Sequence, residues 1–154
     1  FHQNYVRPGK SLYGINAFLK KSFGLKGVMS IFAPILQTAT IAKGQTVGYG
    51  KSYKAKKTTK VATIDFGYSD GYLRSGRNKV KVFIDGNACD VIGRISMDLI
   101  TIDVSNVEDK DLYLGKAVEI LGDNQSCEDL AIQTGTNEHE ILISLGMNSK
   151  KVYI

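Results

Sequence analysis

The sequence predicts a mainly β domain, a β-barrel or β-sandwich followed by two α-helices. Short segments rich in β-branched and aromatic residues recur between residues 28 and 121, and turn-forming clusters separate them. Helical patterning begins only after Gln125. Many short strands with late helices fit a closed or two-layered sheet carrying a helical appendage.

The first segment, through Gly9 and Gly14, reads as the end of a strand feeding a short helical turn. From Val28 to Ile41 the apolar residues fall on both parities, which predicts a strand buried on both faces. Pro34 lacks the N–H a central ladder position needs, so it marks an edge or a bulge. Val47–Tyr53, Thr59–Phe66, Val80–Ile84 and Cys89–Val104 read as further strands, with turns at Ser75-Gly76-Arg77-Asn78 and Asp85-Gly86-Asn87. Ala117–Leu121 reads as another, ended by Gly122-Asp123-Asn124. Ser126, three residues before Asp129, is a helix-start pattern ahead of Leu130, Ala131 and Ile132. Thr136 is placed to cap a second helix with Ile141, Leu142 and Leu145 on one stripe, stopped by Gly146. Lys151–Ile154 reads as a closing strand.

Composition narrows the classes. The 154 residues, 43% of them hydrophobic, suffice for one apolar core. No apolar run approaches the roughly 18 residues of a membrane helix, and the start at Phe1 lacks the order of a secretory signal. A cytoplasmic protein is the simplest expectation. Cys89 and Cys127 have no CxxC partners, and His2 and His139 lie near neither. Two buried, reduced thiols are expected, not a zinc site. The net charge of +5 owes much to Lys51, Lys54, Lys56, Lys57 and Lys60. A patch of that kind attracts phosphate, nucleic acid or an acidic membrane. Its lysines are interleaved with Ala55, Thr58 and Thr59 as on a solvated hairpin, with no RNA-binding aromatic motif. Neither nucleic acid nor membrane is the expected partner.

No Ser-His-Asp arrangement, P-loop or GxGxxG is present. What stands out is tyrosine beside glycine: Gly48-Tyr49-Gly50, then Gly67-Tyr68-Ser69-Asp70-Gly71-Tyr72. Flanking glycines let a backbone approach a ligand or take positive φ, leaving the ring uncrowded. On residue type alone they are equally two turns whose tyrosines pack on the barrel surface. Gly93-Arg94-Ile95-Ser96-Met97-Asp98 places an arginine and an aspartate within an apolar strand, either as an ion pair on its wet face or at a bulge beside a site.

Together these blocks resemble the C-terminal domain of bacterial alanine racemase, a fold-type III pyridoxal-phosphate enzyme. Val6-Arg-Pro-Gly-Lys-Ser-Leu-Tyr-Gly14 is similar to the family's V-R-x-G-x-x-x-Y-G block, Val47-Gly-Tyr-Gly50 to V-[SG]-Y-G and Gly67-Tyr-Ser-Asp-Gly71 to G-Y-x-D-G. Gly93-Arg-Ile-Ser-Met-Asp98 is similar to G-R-[IV]-[CS]-M-D, and the segment from Glu140 resembles the family's terminal Y-E-[IV] helix. The order and spacing of the five blocks carry the resemblance, which covers nearly all of this chain.

The resemblance implies that residues 1–14 are the remnant of an N-terminal TIM-type barrel and residues 15–154 the C-terminal β-domain. The cofactor-binding lysine belongs to that barrel, so the chain alone is expected to be inactive. Arg7 would face the pyridine nitrogen of pyridoxal 5'-phosphate, donating a hydrogen bond without surrendering a proton. Backbone amides of Gly9 and Lys10 would hold the phosphate. Tyr49 would be the second acid/base, serving the face of Cα opposite the lysine in a neighbouring subunit's site, so the homodimer is the active form. A free phenol titrates near ~10 and needs neighbours to make it a base. Met97 would offer its amide to the substrate carboxylate with Asp98 and Arg94 as supports, while Tyr68, Arg74 and Arg94 would line the entrance. The implied activity is interconversion of L- and D-alanine for cell-wall synthesis. A related serine, lysine or broad-range racemase, and a free-standing basic β-barrel binding nucleic acid or a protein, are the alternatives.

The chain departs from the family at Asp65, where many relatives carry proline, and in the tail Asn148-Ser-Lys-Lys-Val-Tyr153. Met147 stands where some relatives place a phosphate-binding tyrosine.

Overall fold

A computed structural model describes residues 4–16, 24–76, 79–147 and 149–153. Six strands close into an antiparallel barrel: β1 (Ile31–Ile41), β4 (Thr59–Asp65), β7 (Leu99–Asp103), β6 (Asn87–Ile92), β5 (Lys81–Ile84) and β8 (Ala117–Leu121), in that order around the wall. Two short strands, β2 (Thr46–Val47) and β3 (Tyr53–Lys54), form a separate ribbon. Helices α1 (Cys127–Thr134) and α2 (Glu138–Gly146) follow β8.

The long first strand closes the barrel by changing partner midway. Ile31–Pro34 pair with β8, and Ile35–Ile41 pair with β4, with a register shift between Ile35 and Gln37. Pro34 is the last residue paired with β8 and has no partner on β4, and the irregularity beside it is the predicted bulge. Burial on both faces is not found. Ile31, Ala33 and Ile35 are buried, while Phe32, Pro34 and Leu36 face outward. A barrel wall has one interior, so only one parity of a strand enters the core.

Alternation is clearest in the centre. Ile64 of β4, Ile100 and Ile102 of β7, Val82 and Ile84 of β5 and Val118 and Ile120 of β8 fill the interior. Each such side chain removed from water contributes about 2 kcal/mol.

Three predicted strands differ. Val47–Tyr53 is not continuous, because Gly48 (φ 77), Gly50 (φ 69) and Lys51 (φ 51) turn the chain between β2 and β3. Cys89–Val104 divides into β6 and β7 around residues 93–98, where Gly93 takes φ 78. Residues 151–153 form no strand, and Ile154 lies outside the described residues. The N-terminal segment supplies a 3₁₀ turn, Gly9–Tyr13, with no strand among residues 4–8. The Asp85-Gly86 turn joins β5 to β6 as predicted, with both residues at positive φ. Of the predicted turn at residues 75–78, a 3₁₀ turn Arg74–Gly76 is seen, and Arg77 and Asn78 lie outside the described residues.

The helices dock through polar as well as apolar contacts. Ser126 caps α1, its hydroxyl accepting from the Asp129 amide at 3.1 Å, while the Asp129 carboxylate accepts from the Ser126 amide at 3.1 Å. Helix α2 starts one residue later than predicted. Asn137, not Thr136, is its cap, accepting from the Glu140 amide at 3.1 Å. Buried Gln125 donates from Nε2 to the carbonyls of Lys81 (2.9 Å) and Ile120 (2.8 Å), tying the start of α1 to two barrel strands. Glu119, also buried, accepts from the amide and Nδ2 of Asn124 at 2.7 and 2.8 Å, which fixes the turn between β8 and α1.

Both cysteines are buried and unpaired. Burial, followed by Asp103 and Asp90, pushes the Cys89 thiol up to about 12, and burial raises Cys127 to about 11. At pH 8 both should stay silent to a thiol-exchange reagent in the folded chain and react together on unfolding, as a colorimetric titration would record. Ile102→Ala should lower the stability of the chain by about 3 kcal/mol, read as a shift in urea midpoint.

Candidate active site

The tyrosine–glycine blocks meet on one side of the barrel, gathered around the loop between β6 and β7. The Tyr49 turn rests on that loop. A Cβ on Gly48 would lie 2.8 Å from the Arg94 amide nitrogen, and one on Gly93 would lie 3.1 Å from the Val47 carbonyl oxygen. Only bare α-carbons allow these two backbones to come so close. The Arg94 guanidinium covers Gly50, its Cζ 3.4 Å from the position a Cβ would take. Between the two glycines the Tyr49 ring is held outward and is 75% exposed.

The second turn grips the same loop further on. The amides of Tyr68 and Ser69 donate to the carbonyls of Ser96 (3.1 Å) and Met97 (2.9 Å). Gly67 approaches so closely that a Cβ there would fall 2.1 Å from the Met97 oxygen. The Asp70 carboxylate accepts from the Gly67 amide at 2.8 Å and closes the turn on itself. Arg74 lies over the Tyr68 ring at 5.3 Å, a cation–π contact. Arg74, Ser75, Lys79, Arg94 and Ile95 line an open depression of about 600 Å³. Its three cations make a surface that draws anions.

The tyrosines of these blocks have different fates. Tyr49 and Tyr68 are on the surface, whereas Tyr72 is buried edge-on to Phe66, ring centroids 5.6 Å apart. Tyr49, Tyr68, Arg74, Arg94, Met97 and Asp98 thus form one connected group.

Arg7, Gly9 and Lys10 form another. Among the described residues, no hydrogen bond, ion pair or ring contact joins them to Tyr49, Arg94 or Met97. They sit at the 3₁₀ turn beside α2, where the Lys10 ammonium meets Glu138 at 3.0 Å. Arg7 is exposed. Gly9 is at φ 59 with no atom within 4 Å of a Cβ position, and the amides of Gly9 and Lys10 meet no acceptor among the described residues. Sequence reasoning missed Glu138, which lies 128 positions from its partner. It also passed over Ser69, although that residue lies inside a block already singled out. Met147 is exposed, and Asn148 lies outside the described residues.

Comparison with known proteins bears on this arrangement. The family described as "Alanine racemase, C-terminal domain" matches residues 28–153. The chain belongs to this family. It is similar to the alanine racemase of Rickettsia bellii, at 39% identity over 99% of the chain and 38% of the relative. It is similar also to that of Vesicomyosocius okutanii, at 42% identity over 99% of the chain and 42% of the relative. A crystal structure of alanine racemase from Bartonella henselae with covalently bound pyridoxal phosphate superposes with a TM-score of 0.89 at 38% identity, over 95% of this chain and 40% of that one. The chain therefore spans about two fifths of the length of these alanine racemases.

A backbone hydrogen bond from its own amide, and then the Lys10 ammonium, hold the Glu138 carboxyl below the usual carboxylate range. A carboxyl depressed on folding stabilises the chain above its unfolded value, and that contribution disappears as pH falls through the folded value. Glu138→Gln should therefore be less stable than the parent at pH 7, and the gap in urea midpoint should begin to shrink as pH falls below about 4, the unfolded carboxyl range. A gap that did not shrink on acidification would rule out the carboxylate as its source.

Proposed function

We propose that this chain is the C-terminal part of an alanine racemase, interconverting L- and D-alanine with pyridoxal 5'-phosphate and contributing the tyrosine that moves the second proton. Family membership supports the reading, and one observation carries it: the Tyr49 phenol stands clear of the barrel on a backbone fixed by two positive-φ glycines and the Gly93–Arg94 loop. A proton donor and acceptor for a substrate outside the chain needs both that reach and that fixity.

Racemisation removes a proton from one face of Cα and returns one to the other. Tyr49 Oη is assigned one of these transfers, and a lysine in the part that the relatives have beyond this chain is assigned the other. Bound pyridoxal phosphate supplies the electron sink that makes the α-hydrogen labile. The residues present fit such a cofactor at the Gly9 turn. Two unengaged amides beside an exposed guanidinium suit a phosphate and a ring acceptor. Arg7 would donate to the pyridine nitrogen, and Gly9 and Lys10 would hold the phosphate through their amides. The Met97 amide would take the substrate carboxylate, with Asp98 and Arg94 fixing its loop. Tyr68, Arg74 and Arg94 would form the cationic approach for the amino acid.

Among the described residues, the absence of a hydrogen bond, ion pair or ring contact between the Arg7 group and the Tyr49 group supports a site completed by two subunits, Tyr49 serving the partner's cofactor. On this reading residues 1–14 close the preceding barrel, and the enzyme works in the cytoplasm as a homodimer that supplies D-alanine to the cell wall.

The test is to join the chain to the portion of the Bartonella henselae enzyme that it does not cover, and to follow D-alanine formation and its reverse. Tyr49→Phe should lower kcat in both directions by at least about 100-fold while the protein stays folded and loaded with cofactor. Full activity in both directions would refute the assignment. Serine and lysine as alternative substrates would show whether the activity is confined to alanine.

A further inference from the structure

We infer that the Gly67–Asp70 turn is a device for aiming the Met97 amide, and that Ser69 is the positioning residue within it. This inference rests on the proposed role of that amide in holding the substrate carboxylate.

The geometry follows from the planar trans peptide, in which C=O and N–H point in opposite directions. The Ser96 carbonyl accepts from the Tyr68 amide at 3.1 Å, so it faces the turn. The N–H across that peptide belongs to Met97 and is thereby directed away from the turn. It meets no acceptor among the described residues. The next peptide is held twice. The Met97 carbonyl accepts from the Ser69 amide at 2.9 Å and from the Ser69 hydroxyl at 2.8 Å. The hydroxyl also lies 2.8 Å from Asp98 Oδ1, so its single hydrogen is shared between the carbonyl and a carboxylate that only accepts. One side chain thus restrains the peptide after Met97 and the side chain of Asp98 together.

Gly67 allows this clamp by close approach. Its φ of −156° is ordinary extended backbone, yet a Cβ would fall 2.1 Å from the Met97 oxygen and 2.6 Å from the Asp98 nitrogen. The other side of the turn is also anchored, since a Cβ on Gly71 would fall 1.9 Å from the Ser144 carbonyl oxygen of α2. Met97 is consequently held against a turn that is itself backed by a helix. Residues 93–98 lie between two strands, and the anchors for residues 96–98 come from the Gly67–Asp70 turn and from Leu99, which pairs with Ser96 at 2.8–3.1 Å.

The experiment uses Ser69→Ala and Ser69→Thr. Hydrogen–deuterium exchange is followed on the 154-residue chain, and kinetics on the fusion described above. Ser69→Ala should speed exchange of the hydrogen-bonded amides of Tyr68, Ser69 and Leu99 and raise KM for alanine about five-fold, leaving kcat within about two-fold. Ser69→Thr, which keeps the hydroxyl, should restore both. Unchanged exchange in Ser69→Ala would overturn the clamp. Faster exchange with unchanged KM would leave the clamp standing and overturn the placement of the substrate carboxylate at Met97. Equal loss in the alanine and threonine variants would reduce Ser69 to a packing role and also overturn the inference.

Discussion

Closure of the sheet by a single long strand is the constraint from which the other features follow. β1 has eleven residues and pairs with β8 through its first part and with β4 through the rest. Without that change of partner the sheet would keep two open edges, each a row of unpaired N–H and C=O groups. Closure commits one parity of every strand to the interior, which is why Ile35, Ile64, Ile102 and Ile120 meet although they are far apart in sequence. It also fixes where loops leave the wall. The turn after β4 and the loop between β6 and β7 leave one end of the wall, where Asp65 pairs with Leu99. The ribbon leaves the other end, where Ile41 pairs with Thr59, and reaches that loop through the close approach of Gly48 and Gly93.

The site-bearing loops use few side-chain contacts and much backbone. Gly48, Gly67 and Gly93 act through the absence of a Cβ, letting main chains touch where any other residue would separate them. This arrangement fixes backbone while leaving Tyr49, Tyr68, Arg74 and Met97 directed outward. Fixed backbone beneath projecting side chains suits a surface that must present groups to something beyond the chain. The chain spans about two fifths of the length of the alanine racemases it resembles.

The turn at Gly9–Tyr13 is secured differently. Its link to the domain is electrostatic, through Lys10 and Glu138 at the start of α2, and polar, through the Asn16 amide and Glu128 at 3.2 Å. Ile15, immediately after the turn, enters the core. The segment assigned by resemblance to another domain is thus seated on the helices, and α2 contacts both this turn and the Gly71 end of the Tyr68 turn. The two groups of site residues share that helix as a support, although among the described residues no hydrogen bond, ion pair or ring contact joins them.

Much of this was readable from residue order. The β-branched run at Thr59–Asp65, the Asp85-Gly86 turn and the Ser126–Asp129 capping box are local patterns, and local patterns need only neighbouring residues to be recognised. The blocks around Tyr49, Tyr68 and Arg94 were also visible, because glycine beside a functional side chain is a sequence-level mark. Continuous strands at Val47–Tyr53 and Cys89–Val104 were misread because apolar, β-branched composition does not reveal where a positive-φ glycine turns the chain. Outward Phe32 and Leu36, the Lys10–Glu138 pair, the Gln125 and Glu119 networks and the Ser69 clamp were not legible at all. Each depends on which segments become neighbours once the barrel closes. Sequence alone determined the mainly β class with two late helices, the local turns and caps and the tyrosine–glycine blocks, since these follow from properties of single residues and short spacings. Tertiary structure decided which carbonyl faces which amide across the loops, since that is set by long-range strand order.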